Sequence, residues 1–372
     1  MKTIIVILIS IVILNHCKKE VKIPQRIIQP DENKLANVSF SLEKKAEVQE
    51  IDKPRIAVSK EEDRIYLYGK YTIPNKKGFI VKVYNKKLEF LSQNLFHYGQ
   101  GPGDVGLTNV ITPSDGNIYI FENSNMRISK FDNNFDYIDS FTMRKHAHPA
   151  ELLENASFFI GCTFDFDEKD CSVNSFSIYS FPKFKRNKFF STEPFSPRKK
   201  LEKGKFLLGE YTEYSYCYKN KSIYLLRCKT YRILRFDISG KKLSDTIVKV
   251  DEIKTNFKLE KKYLESMGYL KLQNRFSFSN TVTPTSWIVP LQKGFVVVRR
   301  KDYNAECAGL VEGDYFSYDV EFLGKVKIPC FSKIFQITGG MTIDSYRYEN
   351  NYLYLINEAG EDYYVEKWKV HE

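Results

Sequence analysis

Three glycines fall within Gly99-Gln100-Gly101-Pro102-Gly103. A run of that kind can turn backbone N–H groups toward an anion. It lacks the Lys-Ser/Thr pair and the following helix of a phosphate loop. Its better reading is a tight connection in which Gly and Pro fix unusual φ. His97 stands beside it, and Arg127 and Arg232 sit at equivalent positions in two similar stretches. His97, Arg127 and Arg232 are therefore the candidate ligand-binding residues. Repeated arginine also serves structure, because a buried guanidinium needs a partner, and a structural hydrogen bond is the stronger reading for both.

The remaining candidates carry less. His146-Ala147-His148 places two imidazoles on one strand face. No third ligand is apparent, so a solvated loop is preferred to a metal site. Asp165-Phe166-Asp167-Glu168-Lys169-Asp170 is acidic but lacks the glycine and spacing of a calcium loop, and reads as a hairpin tip. Lys183–Lys205 holds nine basic residues with aromatics between them. They suit phosphates or headgroups, but a solvated edge explains them as well. There is no Gly-x-Ser-x-Gly and no Cys–His pair in a nucleophile context. No catalytic residue, metal or cofactor is expected.

The elements that must position these side chains are strands. Aromatics make up 15% of the chain and favour sheets. Asp115-Gly116 between two apolar runs is a hairpin signal, since both central residues of a type I′ turn need positive φ. Ile118-Tyr119, Arg127-Ile128 and Phe131-Asp132 return as Ile223-Tyr224, Arg232-Ile233 and Phe236-Asp237, all at an offset of 105 residues. A shared offset across these pairs marks a repeat protein. Hairpin cores recur near Tyr66, Tyr119, Phe159, Tyr224, Val296 and Tyr354. Small four-stranded antiparallel sheets cannot bury both faces alone, and radial packing solves that problem. The expectation is an all-β, six-bladed β-propeller with four-stranded antiparallel blades. The last unit lacks a fourth strand of its own, so a strand from 38–51 is expected to close the ring and remove an exposed edge.

The residues Gly99–Asp104, Asp115–Ile120, Asn125-x-Arg127-Ile128 and Phe131-Asp132 resemble an NHL-type repeat. More closely, they resemble the bacterial six-bladed β-propeller lipoproteins with a Gly-Gln-Gly-Pro-Gly turn between blades. The match is specific over 97–141 and fair over 211–250. It implies fold and surface location and no chemistry, since these lipoproteins mostly have no assigned activity.

Met1-Lys2-Thr3 and the apolar run Ile4–Leu14 have signal-peptide length, too short to span a bilayer. Leu14-Asn15-His16-Cys17 resembles a lipoprotein signal that ends in lipidation at Cys17, although His16 stands where a small residue is usual. The domain reading is a signal at 1–17, a flexible tether at 18–34, and the propeller at 35–372 with a helical insertion near 257–273. Net charge is +11. Scattered solvated lysines account for it, and no nucleic-acid partner is expected. Cys162 and Cys171 would face each other across a turn at Phe166-Asp167. Cys217 faces Tyr224 and lies beyond disulfide reach of Cys228. The functional expectation is a monomeric binding module for a protein or glycan, facing the surface or periplasm and held to the membrane by an N-terminal lipid. The alternative is a propeller hydrolase or lyase with acidic residues at the central channel.

Overall fold

A computed structural model describes residues 23–372 except 74–75, 107–108, 123, 144–147, 154–157, 167–171, 183–184, 192–205, 209–213, 229, 252, 255–275, 279–280, 283–284, 300–309, 330–345 and 360–361. Cys17, His146 and the expected helical insertion at 257–273 lie outside the described residues.

The chain is an all-β propeller. The first sheet runs Ile51–Val58, Ile65–Ile73, Lys76–Tyr84 and Phe90–Phe96. The second runs Asn109–Ser114, Asn117–Glu122, Arg127–Phe131 and Tyr137–Thr142. The third runs His148–Leu153, Phe158–Phe166, Ser172–Ser180 and Lys185–Ser191. The fourth holds Tyr214–Lys219, Ser222–Arg227, Arg232–Asp237 and Lys242–Val248. The fifth holds Thr285–Pro290, Gly294–Arg299, Leu310–Ser317 and Phe322–Pro329. The last holds Tyr346–Glu349, Tyr352–Ala359, Asp362–His371 and, beside His371, the early strand Ser39–Val48.

The expected count of six four-stranded blades is corrected to five. The fourth sheet has a fifth strand, because Arg26–Ile28 adds in parallel along Lys242–Val248. The stretch expected as a free tether is therefore not free in its described part. Arg26 Nη2 donates to the Val320 carbonyl at 2.8 Å, and Ala36 and Lys325 exchange backbone bonds with residues of the opposite segment. Unsatisfied edge groups of the fourth sheet supply the reason.

Local chemistry sets the hairpins. Asp115 and Gly116 have φ of 56° and 63°, as a type I′ turn requires. Asn220-Lys221 and Asn350-Asn351 make the matching turns in the fourth and last sheets, again with positive φ throughout. In the third sheet the second strand runs on to Phe166, which pairs with Ser172. Cys162 therefore faces Phe176 rather than Cys171, which lies outside the described residues. Cys217 does face Tyr224, and both Cys217 and Cys228 are free thiols.

The core lies between sheets. Tyr66, Tyr68, Phe79 and Phe96 of the first sheet pack with Ile111, Ile120 and Phe131 of the second. Comparable layers join the last sheet to the first, the second to the third, the fourth to the fifth, and the fifth to the last. Tyr66, Tyr119, Tyr224 and Tyr354, one from each hairpin core, are all buried. Burying a large side chain is worth roughly 1.5–3 kcal/mol, so these layers dominate the stability.

One buried polar cluster ties the N-terminal segment to this frame. Asp314 is fully buried and accepts from Tyr231 Oη at 2.5 Å and Lys325 Nζ at 2.6 Å. Lys325 and Arg299 also reach Glu32, at 2.9 and 2.8 Å. Asp314→Asn removes the fully buried partner of the Lys325 ammonium, leaving it the half-exposed Glu32, and should cost ~3–5 kcal/mol. Glu32 is more than half exposed. Its removal should cost under about 1 kcal/mol. Urea unfolding midpoints of the two variants check that ordering.

Candidate functional site

The three sequence candidates do not converge. His97 is exposed, and its carbonyl accepts the Val105 N–H at 3.0 Å as the glycine turn closes. The turn offers no cradle for an anion. The Gly101 N–H is taken by the Asp104 carboxylate at 3.1 Å. A Cβ at Gly99 would fall 2.3 Å from that same carboxylate, which is why glycine stands there.

Arg127 is a structural clamp. Its Nε and Nη2 donate to Glu122 at 3.0 and 2.8 Å, and its guanidinium also reaches the carbonyls of Gln100 and Asp104 at 2.9 and 2.8 Å. Glu122 is fully buried and also accepts from Ser129, Asn125 and the Gly106 N–H. The guanidinium fork thus pins the glycine turn to the second sheet. Arg232 holds the same place in the fourth sheet but uses another acid. Glu122 is replaced there by Arg227, and Arg232 instead grips Asp245 with bonds of 2.7 and 2.6 Å. Burial alone would raise the Asp245 carboxyl, but the hydrogen bonds from Arg232 and Lys242 outweigh it and hold it at about 2.

The converging side chains are elsewhere. A cavity of about 340 Å³ is lined from the first, second, fourth, fifth and last sheets. Only the axis of a ring is common to so many sheets, so this is the mouth of the central channel. The lining residues lie on the first strand of each sheet or just past its end. First strands of neighbouring sheets also touch one another, as Ile51–Val58 does with Asn109–Ser114 and Tyr346–Glu349.

The mouth combines cations with tyrosines. Lys60, Lys219 and Arg347 line it together with Tyr216, Tyr218 and Tyr348. Two carboxylates are present. Both oxygens of Glu61 are occupied, accepting the Asp115 and Gly116 N–H groups at 3.2 and 2.8 Å. Glu349 differs. Burial pushes its carboxyl up, and Lys60, Lys86 and Lys219 pull it back without cancelling the rise. Among the described residues no hydrogen bond or ion pair engages the Glu349 carboxylate, Lys60 Nζ or Lys219 Nζ. Burial, with the Glu372 carboxylate, pushes the Tyr348 hydroxyl up to about 12, and it donates to Asn351 at 3.1 Å. No group of three or more His, Cys, Asp and Glu able to hold a metal occurs among the described residues.

Sequence reasoning missed Lys60, Lys219, Tyr348 and Glu349. The signal was positional: each closes or follows the first strand of a repeat, just ahead of its turn.

No protein-family model matches this chain, and no curated protein matches it. Solved structures do match. A candidate exported protein from Bacteroides fragilis has a TM-score of 0.53 at 10% identity, covering 94% of this chain and 100% of that one. A member of the DUF4221 family from Bacteroides vulgatus gives 0.49 at 12% identity, covering 92% and 100%. Virginiamycin B lyase from Staphylococcus aureus gives 0.43 at 10% identity, covering 89% and 99%. The B. fragilis likeness shows fold alone, and it runs through nearly the whole of both chains.

The paired arginines generate two stability predictions. Arg127→Ala leaves Glu122 buried without its counter-charge and should cost ~3–5 kcal/mol, whereas exposed His97→Ala should stay within about 0.5 kcal/mol. Thermal melts of both variants check this. Asp245 has a depressed folded-state value, so its contribution is present above the ordinary carboxylate value of about 4 and fades as pH falls toward about 2. The gap in urea midpoint between the parent and Asp245→Asn should therefore be wide at pH 6 and narrow at pH 2.

Proposed function

We propose that this chain is an exported, non-catalytic binding module whose ligand enters the mouth of the central channel. The observation that carries the reading is the composition of that mouth. Tyrosines and unengaged lysines line a cavity of about 340 Å³ reached from five sheets. Pockets of about 300–1,000 Å³ suit small molecules or the end of a chain, whereas a stable protein partner covers ~800 Å² of each surface. A glycan thus fits the mouth better than a folded protein does. A hydrolase or lyase would draw on paired carboxylates. Here Glu349 stands without a second free acid among the described residues, because Glu61 is committed to a neighbouring turn.

The finer architecture belongs to the same proposal. Ser39–Val48 pairs along Asp362–His371, which supports closure of the ring by an N-terminal strand. The repeated Arg-Ile and Phe-Asp pairs support an NHL-type repeat. The apolar run before Cys17 supports export and lipid anchoring at a bacterial membrane, and no helix among the described residues is long and apolar enough to cross one. The module acts as a monomer.

A glycan array probed with the parent protein and with Tyr218→Ala/Tyr348→Ala tests the binding reading. Signals in the parent that fall about tenfold or more in the variant are expected, since each tenfold is about 1.4 kcal/mol of lost contact. An array silent for both proteins, or equal signals, would overturn it. Labelling with a fatty acid should mark the parent and spare Cys17→Ala.

A further inference from the structure

The charge at the channel mouth goes beyond a general preference for glycans. Lys60 and Lys219 come from sheets that do not adjoin, yet both line one cavity and both act on Glu349. Lys86, whose backbone N–H donates to Asp63 at 3.1 Å, also acts on it electrostatically. Arg347 also lines the cavity, its Nη1 donating to the Tyr346 carbonyl at 2.9 Å. Against these stands the single unengaged carboxylate of Glu349. Positive charge gathered in a walled recess raises the local concentration of anions.

A simple inorganic ion would not use the rest of the lining. Tyr218 and Tyr348 offer flat apolar faces with polar tips, and Ala57, Ile111 and Pro290 extend the apolar surface between them. A sugar ring presents one weakly polar face for such contact and hydroxyls at its rim. Glu349 supplies acceptor oxygens for those hydroxyls. The two lysines are left to meet a fixed negative charge on the same ring, by charge-assisted hydrogen bonds.

We propose that the channel mouth binds an acidic saccharide, with Lys60 and Lys219 holding its carboxylate or sulfate, Glu349 accepting from its hydroxyls, and Tyr218 and Tyr348 flanking the ring. The inference rests on the binding reading above and names its ligand class.

The test is an array carrying uronate-, sialate- and sulfate-bearing glycans beside their neutral parents, probed at physiological salt. Three proteins are compared: the parent, Lys60→Gln/Lys219→Gln, and a charge-matched control, Lys327→Gln/Lys369→Gln, whose lysines are exposed and do not line the cavity. The parent and the control should favour acidic members over neutral ones by about tenfold or more, and the mouth variant should lose that preference. Uronate against sulfate hits separate the two sources of charge. Equal binding of neutral parents would overturn the proposal and leave the binding reading standing. So would an acidic preference that survives in the mouth variant or falls equally in the control, since bulk charge would then explain it. Silence across the whole array would sink the binding reading itself. Equal urea midpoints for the three proteins confirm that the fold is not the variable.

Discussion

The blades whose side chains are described bury apolar residues on both faces. That constraint governs the rest. A lone four-stranded sheet would leave Tyr66, Ile120 or Phe295 wet on one side, and a stack of two would still leave two faces bare. Standing the sheets about an axis gives each face a neighbour, and the buried layers occur where that solution puts them, between sheets rather than within one. The aromatic residues are large enough to fill the wedge that widens away from the axis. Edge-to-face pairs such as Phe96 with Phe131 cross from one sheet to the next.

Apolar layers alone do not fix how one sheet sits on its neighbour. Buried ion pairs add direction. Arg127 with Glu122 holds the entrance turn of the second sheet, Arg232 with Asp245 braces the fourth, and Asp314 joins Tyr231 of the fourth sheet to Lys325 of the fifth. Each carboxylate has little or no exposure and several donors, and the Tyr231–Asp314 bond crosses between sheets, so sliding the fourth over the fifth would break a bond that water could not replace. The rigid frame then delivers strand ends to the axis in fixed positions. The channel mouth is a product of that delivery, with its chemistry written in residues that no single sheet brings together.

Much of the frame was legible in the sequence because it rests on local rules. Asp115-Gly116 announced its turn, the repeated Arg-Ile and Phe-Asp pairs announced the repeat, and strand alternation located most hairpins. Asn220-Lys221 and Asn350-Asn351 make the same turn with no glycine, so they were visible only once the sheets were aligned. The added strand Arg26–Ile28 was hidden for another reason. Its pairing is with residues some two hundred positions away, and it is a three-residue stretch between two prolines. The candidate site was the least legible part. Arginines at one repeat position left a shared ligand as the weaker reading, and each turns inward to a different acid. Lys60, Lys219 and Glu349 share no motif and meet only through the closure of the ring.

The pairing of Ser39–Val48 with Asp362–His371 has a bearing on how the molecule is made. Hydrogen-bonded neighbours Ser41 and His371 are 330 positions apart. A ribosome releases the first of these segments long before the second exists. The last sheet therefore stays a two-stranded hairpin, or unformed, until synthesis has passed His371, and its early partner must wait with an open edge. Completion of the final sheet is therefore a late event, open only to a chain synthesised as far as His371.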